Sequence, residues 1–267
     1  MSTQVRVSPG WLELREPADA AARSAELAER LVRRLPPGDL VIHDLGGGSG
    51  SMGRWLAPRL PGPQHWVVHD RDPDLLELAV AVAPEGASVE ARRSEVTLLA
   101  PEDLAGADAV VTSALLDLLT ADELGAMLRA CRGLPMLLAL TVVGRVALTP
   151  ADPLDARVAA AFNAHQRREG RLGPDAVAAT VRELGGAECA VRPSHWRLGA
   201  ADAELTVEWL EGWVAAACEQ EPGLVAAGHG GASDRAATAG YLSRRLAQAA
   251  AGELAVTVEH ADLLVLP

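Results

Sequence analysis

The sequence predicts an α/β fold: a doubly wound, mostly parallel sheet with helices on both faces. Three observations carry this. Apolar runs of strand length alternate with helix-length segments from residue 38 to about residue 150, the pattern of repeated βα units that build a parallel sheet. One of those runs, Leu40-Val41-Ile42-His43-Asp44-Leu45, leads directly into Gly46-Gly47-Gly48-Ser49-Gly50. A continuous apolar run closed by glycines reads as a strand buried on both faces that enters a tight turn. Finally, 49% hydrophobic content in 267 residues suffices for a substantial core, yet no apolar run approaches the roughly 20 residues that span a membrane.

The elements follow in order. An N-terminal helix over 16–35 is stopped by Pro36-Pro37-Gly38. Strands are expected near 40–44, 65–69, 88–92, 108–112 and 135–142. Helices lie between them, among them Ser51-Met52-Gly53-Arg54-Trp55-Leu56 and Asp74-Leu75-Leu76-Glu77-Leu78-Ala79. Pro150-Ala151-Asp152-Pro153 breaks the alternation. Helices over 155–169 and 174–184 come next, the second ended by Gly185-Gly186. Strand patterns return at 188–192 and 254–260, with helices over 203–219 and 233–250 between them. No repeat or low-complexity linker divides the chain, so one domain is expected over 1–267. It comprises a helical cap (1–37), a cofactor-binding half (38–150) and an acceptor-side half with a helical insertion (151–267).

Composition removes several functions. All 24 Lys-plus-Arg residues are Arg, which excludes a Gly-rich phosphate loop with its Lys, a pyridoxal Schiff base and a protein kinase. Tyr241 has no lysine partner for tyrosine–lysine hydride transfer. A net charge of −12 disfavours nucleic acid. Cys131, Cys189 and Cys218 form no C-x-x-C pair, so the chain reads as reduced, metal-free and cytoplasmic. Met1-Ser2-Thr3-Gln4-Val5-Arg6 carries no apolar leader segment.

The glycines allow a ligand to approach the backbone closely, at the carboxyl end of a strand and beside a helix amino terminus. This marks a nucleotide-cofactor loop. Gly48-Ser49-Gly50-Ser51-Met52-Gly53 also satisfies G-x-G-x-x-G, so the loop by itself admits NAD(P) or flavin and an oxidoreductase.

Three segments in order settle the preference: Asp44-x-Gly46-x-Gly48-x-Gly50, Asp70-Arg71-Asp72-Pro73 with a helix behind it, and Ala107 to Leu119 around a fourth strand. Together they resemble the motifs of class I S-adenosylmethionine-dependent methyltransferases over residues 38–150. The resemblance implies a Rossmann-like, seven-stranded sheet with an antiparallel last strand, the strands at 188–192 and 254–260 forming its edge. It implies S-adenosylmethionine as cofactor and a small-molecule acceptor, with no nucleic acid and no membrane as partner. An acidic, helix-rich segment after Val191 offers area for a homodimer contact.

Roles carried by the resemblance are these. Gly46, Gly48 and Gly50 pass the methionine and ribose, Asp70 binds the ribose diol, and Arg71 lies along the adenine. Asp44 orients the loop or meets the cofactor amino group, the rival being a bond to loop amides. Glu95 faces the adenine, with Ser94 competing. Thr112 and Ser113 pass the methyl donor. Asp117 stands where relatives often show a His and serves either the acceptor or a helix cap. His165 is a base or a polar helix face; His195 and Trp196 are pocket candidates. His43 reads as structural, and Trp209 with Trp213 as core at helical spacing. Asp117 and His165 are the catalytic candidates. Absence of an Asn-Pro-Pro-Tyr signature after the fourth strand counts against amide or adenine-N methylation. The alternatives are a non-catalytic cofactor-binding homologue and an NAD(P)-dependent oxidoreductase.

Overall fold

Five strands, β1 (Leu40–Leu45), β2 (Gln64–Asp70), β3 (Ala87–Arg93), β4 (Ala109–Ser113) and β5 (Met136–Thr149), pair in parallel in the order β3-β2-β1-β4-β5. The computed structural model describes residues 7–225 and 233–267, so the expectation that residues 1–6 carry no leader falls outside it. β8 (Ala255–Leu266) adds to β5 antiparallel, and β6 (Glu188–Pro193) adds to β8 antiparallel. The strand order reverses between β1 and β4. Loops leaving these two strands diverge there, which opens the crevice where such sheets bind ligands.

Burial follows the strand pattern. Leu40, Ile42, Val111, Leu137 and Ala139 face α2 (Ala25–Val32) and α3 (Ser51–Leu56). Val110, Leu138 and Leu263 face α5 (Ala121–Ala130) and α7 (Ala176–Glu183) on the other side. A third cluster joins α6 (Asp155–Gln166), α8 (Ala203–Gln220) and α10 (Ser233–Ala250) to the outer halves of β5 and β8. Among the described residues no helix is long and apolar enough to cross a membrane.

Three expectations need correction. The sheet has eight strands rather than seven, because Trp196–Leu198 (β7) pairs with the first half of β8. β8 also runs past residue 260 to Leu266, and Leu263–Val265 make its contact with the start of β5. Asp262 in that run is buried; its Oδ2 accepts from Ser24 N (2.7 Å) and its Oδ1 from Leu140 N (2.8 Å). The N-terminal helix is two: α1 (Pro9–Ala22), capped by Ser8, and α2, capped by Ser24. A Ser cap accepts from a first-turn amide and restarts a helix at a new angle, and Asp262 fixes that corner to the sheet.

α1 carries two stripes. Trp11, Leu14, Ala18 and Ala22 pack on the third cluster. Leu12, Glu16, Asp19 and Arg23 recur at helical spacing on another face, and this face meets the glycine loop.

Candidate functional site

The loop after β1 is a tight backbone structure. Gly46, Gly48 and Gly50 have φ of 65°, 52° and 81°, a region side-chain-bearing residues rarely enter. His69 O accepts from both Gly46 N (2.8 Å) and Gly47 N (3.1 Å), which ties the loop to the end of β2. Gly50 caps α3 in the left-handed conformation. Gly47 needs its missing side chain for space: a Cβ there would lie 2.7 Å from Val68 Cγ1 and 2.8 Å from Asp44 Cγ. A Cβ on Gly46 would lie 3.1 Å from Leu115 Cδ1, so the loop after β4 abuts the glycines.

α1 lies over this loop. A Cβ on Gly48 would stand 3.5 Å from Leu12 Cδ1. Arg54 of α3 donates from Nε to Glu16 Oε1 (2.7 Å) and from Nη1 to Ser49 O (2.6 Å), joining helix, loop and cap.

Asp44 is completely buried, and neither carboxylate oxygen has a hydrogen-bond partner. The loop-amide reading of this residue is therefore not what the structure has. Burial pushes its carboxyl up to about 7, against the pull of the Arg23 charge. Arg23, 4% exposed, donates from Nη2 to Ser113 Oγ (3.1 Å) and Ser51 Oγ (3.1 Å) and from Nη1 to Ser51 O (3.3 Å), while its Nε has no partner. Burial lowers the Arg23 pKa, and Asp19 and Asp44 oppose that. A buried acid and a buried base thus sit close together, each with unused hydrogen-bonding capacity.

Asp70 closes β2. Its Oδ2 accepts from Gly48 N (2.9 Å) and its Oδ1 from Asp72 N (2.9 Å), leaving further lone pairs. Asp72, not Asp70, caps α4 (Pro73–Ala81). Arg71 and Glu95 are exposed at the carboxyl ends of β2 and β3. Ser94 is turned to the protein, its Oγ 3.0 Å from His69 Nδ1. His69 Nε2 in turn lies 3.0 Å from His43 Nδ1. Burial lowers both histidines to about 4, so the pair is neutral and structural near pH 7.

Beyond β4 the backbone is strained at Ala114 (φ 54°), and beside it in β5 at Leu140 (φ 56°). Ala114 N donates to Ala139 O (2.9 Å). Asp117, 8% exposed, has one oxygen without a partner, and burial lifts its carboxyl to about 6. It does not cap α5; Thr120 does, with Glu123 completing the capping box. Thr112 is buried with an unpartnered hydroxyl.

Arg15, Asp19 and His260, which no motif marks, join the pocket candidate Trp196 in this region. Asp19 accepts from Arg15 Nε (2.9 Å) and Trp196 Nε1 (2.9 Å), and Arg15 lies 5.1 Å from the Trp196 ring centre. His260 of β8 stacks obliquely on Trp196 and is held neutral by burial, at about 3. The stripe Leu12, Glu16, Asp19, Arg23 was legible as helical spacing, but only with the helix started at Pro9.

His165 is placed elsewhere. Its Nε2 lies 3.1 Å from Glu219 Oε2 on the α6–α8 surface, and no contact joins it to the loop cluster among the described residues. His195 is partly exposed after β6. Among the described residues no group of three or more His, Cys, Asp or Glu is arranged to hold a metal.

No family model matches the sequence, and no curated protein matches it. Solved structures share the fold. A protein of Anaeromyxobacter dehalogenans named as a candidate type II methyltransferase aligns with 92% of this chain and 98% of its own, at 16% identity and TM-score 0.53. The cyclopropane synthase MmaA2 of Mycobacterium tuberculosis aligns over 97% and 94%, at 13% identity and TM-score 0.50. This chain spans 57% of the length of an N-methyltransferase 2 of Haemonchus contortus, solved with phosphomonomethylethanolamine and S-adenosylhomocysteine (14% identity, 96% of this chain, TM-score 0.43). At these identities the first two likenesses establish the fold.

Proposed function

We propose that this chain, whose fold is that of the class I methyltransferases, binds S-adenosylmethionine where β1 and β4 diverge and transfers its methyl group to a small-molecule acceptor. The observation that carries the reading is Asp44, a fully buried carboxylate beside the glycine loop with neither oxygen satisfied. Such a group is costly until a cation reaches it. The cofactor's ammonium suits Asp44, its carboxylate suits the Arg23 guanidinium, and its ribose hydroxyls suit the free lone pairs of Asp70. Gly46, Gly48 and Gly50 give the backbone approach, and Ser113 lies at the mouth of β4. Exposed Arg71 and Glu95 are assigned to the adenine side.

When bound, the cofactor supplies a sulfonium methyl group activated for in-line displacement. The chain's part is alignment, exclusion of water by α1, and a base for an acceptor O–H or N–H. Asp117 is the candidate base: it is buried, has an unused oxygen, and follows the strained Ala114. His165, engaged with Glu219, is the weaker candidate. In this reading 1–37 forms the cap, 38–150 the cofactor half and 151–267 the acceptor side of one domain.

Calorimetric titration with S-adenosylhomocysteine, beside NAD and NADP, tests the cofactor. Micromolar binding of S-adenosylhomocysteine alone is expected. Binding of a nicotinamide nucleotide, or silence from all three, overturns the proposal. Asp70→Ala is expected to weaken S-adenosylhomocysteine by about 1–3 kcal/mol, because it removes a ligand acceptor and releases the Gly48 amide together. With an acceptor in hand, Asp117→Asn is expected to lower kcat by about 100-fold or more, and His165→Ala to leave it near wild type. A carboxylate base works deprotonated, so the wild-type rate should climb as pH rises through about 6. The reverse ranking of the two variants moves the base to His165.

A further inference from the structure

The chain has six Trp, one Phe and one Tyr, and four of these line a single groove: Trp11 from α1, Phe162 from α6, and Trp209 and Trp213 from α8. Such concentration in an aromatic-poor chain demands an account. Trp213 is 2% exposed and satisfies the core reading; its indole N–H has no acceptor. Trp209 is only half-buried and stacks on Trp213, ring centres 5.0 Å apart and 18° from coplanar. Trp209 packs against the same cluster as Trp213 and yet stays partly exposed at the groove.

Two further features of the groove concern charge and space. Glu208 and Glu211 stand exposed on its wall, and neither has a cationic partner among the described residues. At the far end of α8, by contrast, Glu219 lies against His165 and Glu221 against Arg157. Gly212 also lines the groove, and a Cβ on it would meet nothing within 4 Å, so the wall is open there.

Aromatic faces attract cations electrostatically, and two unpaired carboxylates at the same groove add to that attraction. We propose that the groove lined by Trp11, Phe162, Trp209 and Trp213 and walled by Glu208 and Glu211 binds a small organic cation of the alkylammonium class. The Trp11 ring already has the Arg15 guanidinium 5.9 Å from its centre, so the Trp209 and Phe162 rings take the methyl or methylene groups around nitrogen, and the carboxylates supply the counter-charge. This site is separate from the glycine loop, and its occupancy does not depend on methyl transfer.

The test titrates the full chain with choline, followed by tryptophan fluorescence and calorimetry, beside 3,3-dimethylbutan-1-ol, its uncharged isostere. Saturable choline binding is expected, with the alcohol weaker by about tenfold or more. Trp209→Leu, and separately the pair Glu208→Gln with Glu211→Gln, should each weaken choline by about tenfold. All three positions are exposed or half-buried, so the melting temperature should hold. Equal binding of choline and the alcohol overturns the proposal in favour of a plain apolar groove. So does the absence of a saturable response, or one that survives both variants. Self-association that Trp209→Leu abolishes would assign the groove to a second copy of the chain, and overturn it as well.

Discussion

Asp44→Asn is expected to stabilise the ligand-free protein above pH 7 while weakening S-adenosylhomocysteine by about 10- to 100-fold. Both effects come from one unsatisfied carboxylate. Burial raises the Asp44 carboxyl from an ordinary 3.8 to about 7, so between these values the folded protein holds a proton that the unfolded chain has released. The stability this group allows is full below about pH 4 and falls as pH rises toward 7, reaching a loss of up to about 4 kcal/mol. Asparagine has no charge to bury and removes that slope. It also removes the anion that meets a ligand ammonium, and a hydrogen bond to a charged group contributes about 1.5–3 kcal/mol. Thermal denaturation of both proteins from pH 4 to 9, with titration at pH 8, checks the pair of effects. Identical pH slopes would mean Asp44 has a partner in solution, and undiminished binding would move the cofactor's ammonium elsewhere.

Gly47→Val is expected to abolish cofactor binding and to lower stability by about 1–3 kcal/mol, the usual cost of overpacking. The first added carbon already falls 2.7 Å from Val68 Cγ1 and 2.8 Å from the Asp44 carboxyl. Nothing can give without moving β2 or turning Asp44 out of the site. Gly48→Ala is the informative contrast. Its φ of 52° makes alanine strained, at about 1 kcal/mol, but the nearest side-chain atom is 3.5 Å away. It should therefore keep most of its affinity. Titration calorimetry and melting curves on the two variants distinguish steric closure from backbone strain; wild-type binding by Gly47→Val would remove the loop from the site.

These two residues show where sequence reading reached and where it stopped. Asp44 was visible as the acid before the glycines, but either loop bonding or ligand contact fitted the spacing. The absence of a partner for either oxygen removes the loop bond and supports the proposed ligand contact. The motif spaces its glycines at 46, 48 and 50, so it does not mark Gly47. Those three have positive φ, a local property, whereas Gly47 is constrained by Val68 on the neighbouring strand. Trp209 and Trp213 read as a core pair: Trp213 is buried in the third cluster, Trp209 packs half-buried against it, and both also line the groove. His165 stood out as a polar residue on a helix behind β5, and the fold turned it toward Glu219.

By itself the sequence determined the βα alternation, the buried first strand, the glycine turn and the acid that ends the second strand. Each of these is written in contiguous residues, through hydrophobic period and backbone freedom. The tertiary structure alone decided that Arg23 reaches Ser113, that Asp262 holds the α1–α2 corner, and that α1 covers the loop with Leu12 and Glu16. It also left Asp44 buried without a partner. Burial and pairing depend on which distant segments meet, and no local pattern in the chain encodes that meeting.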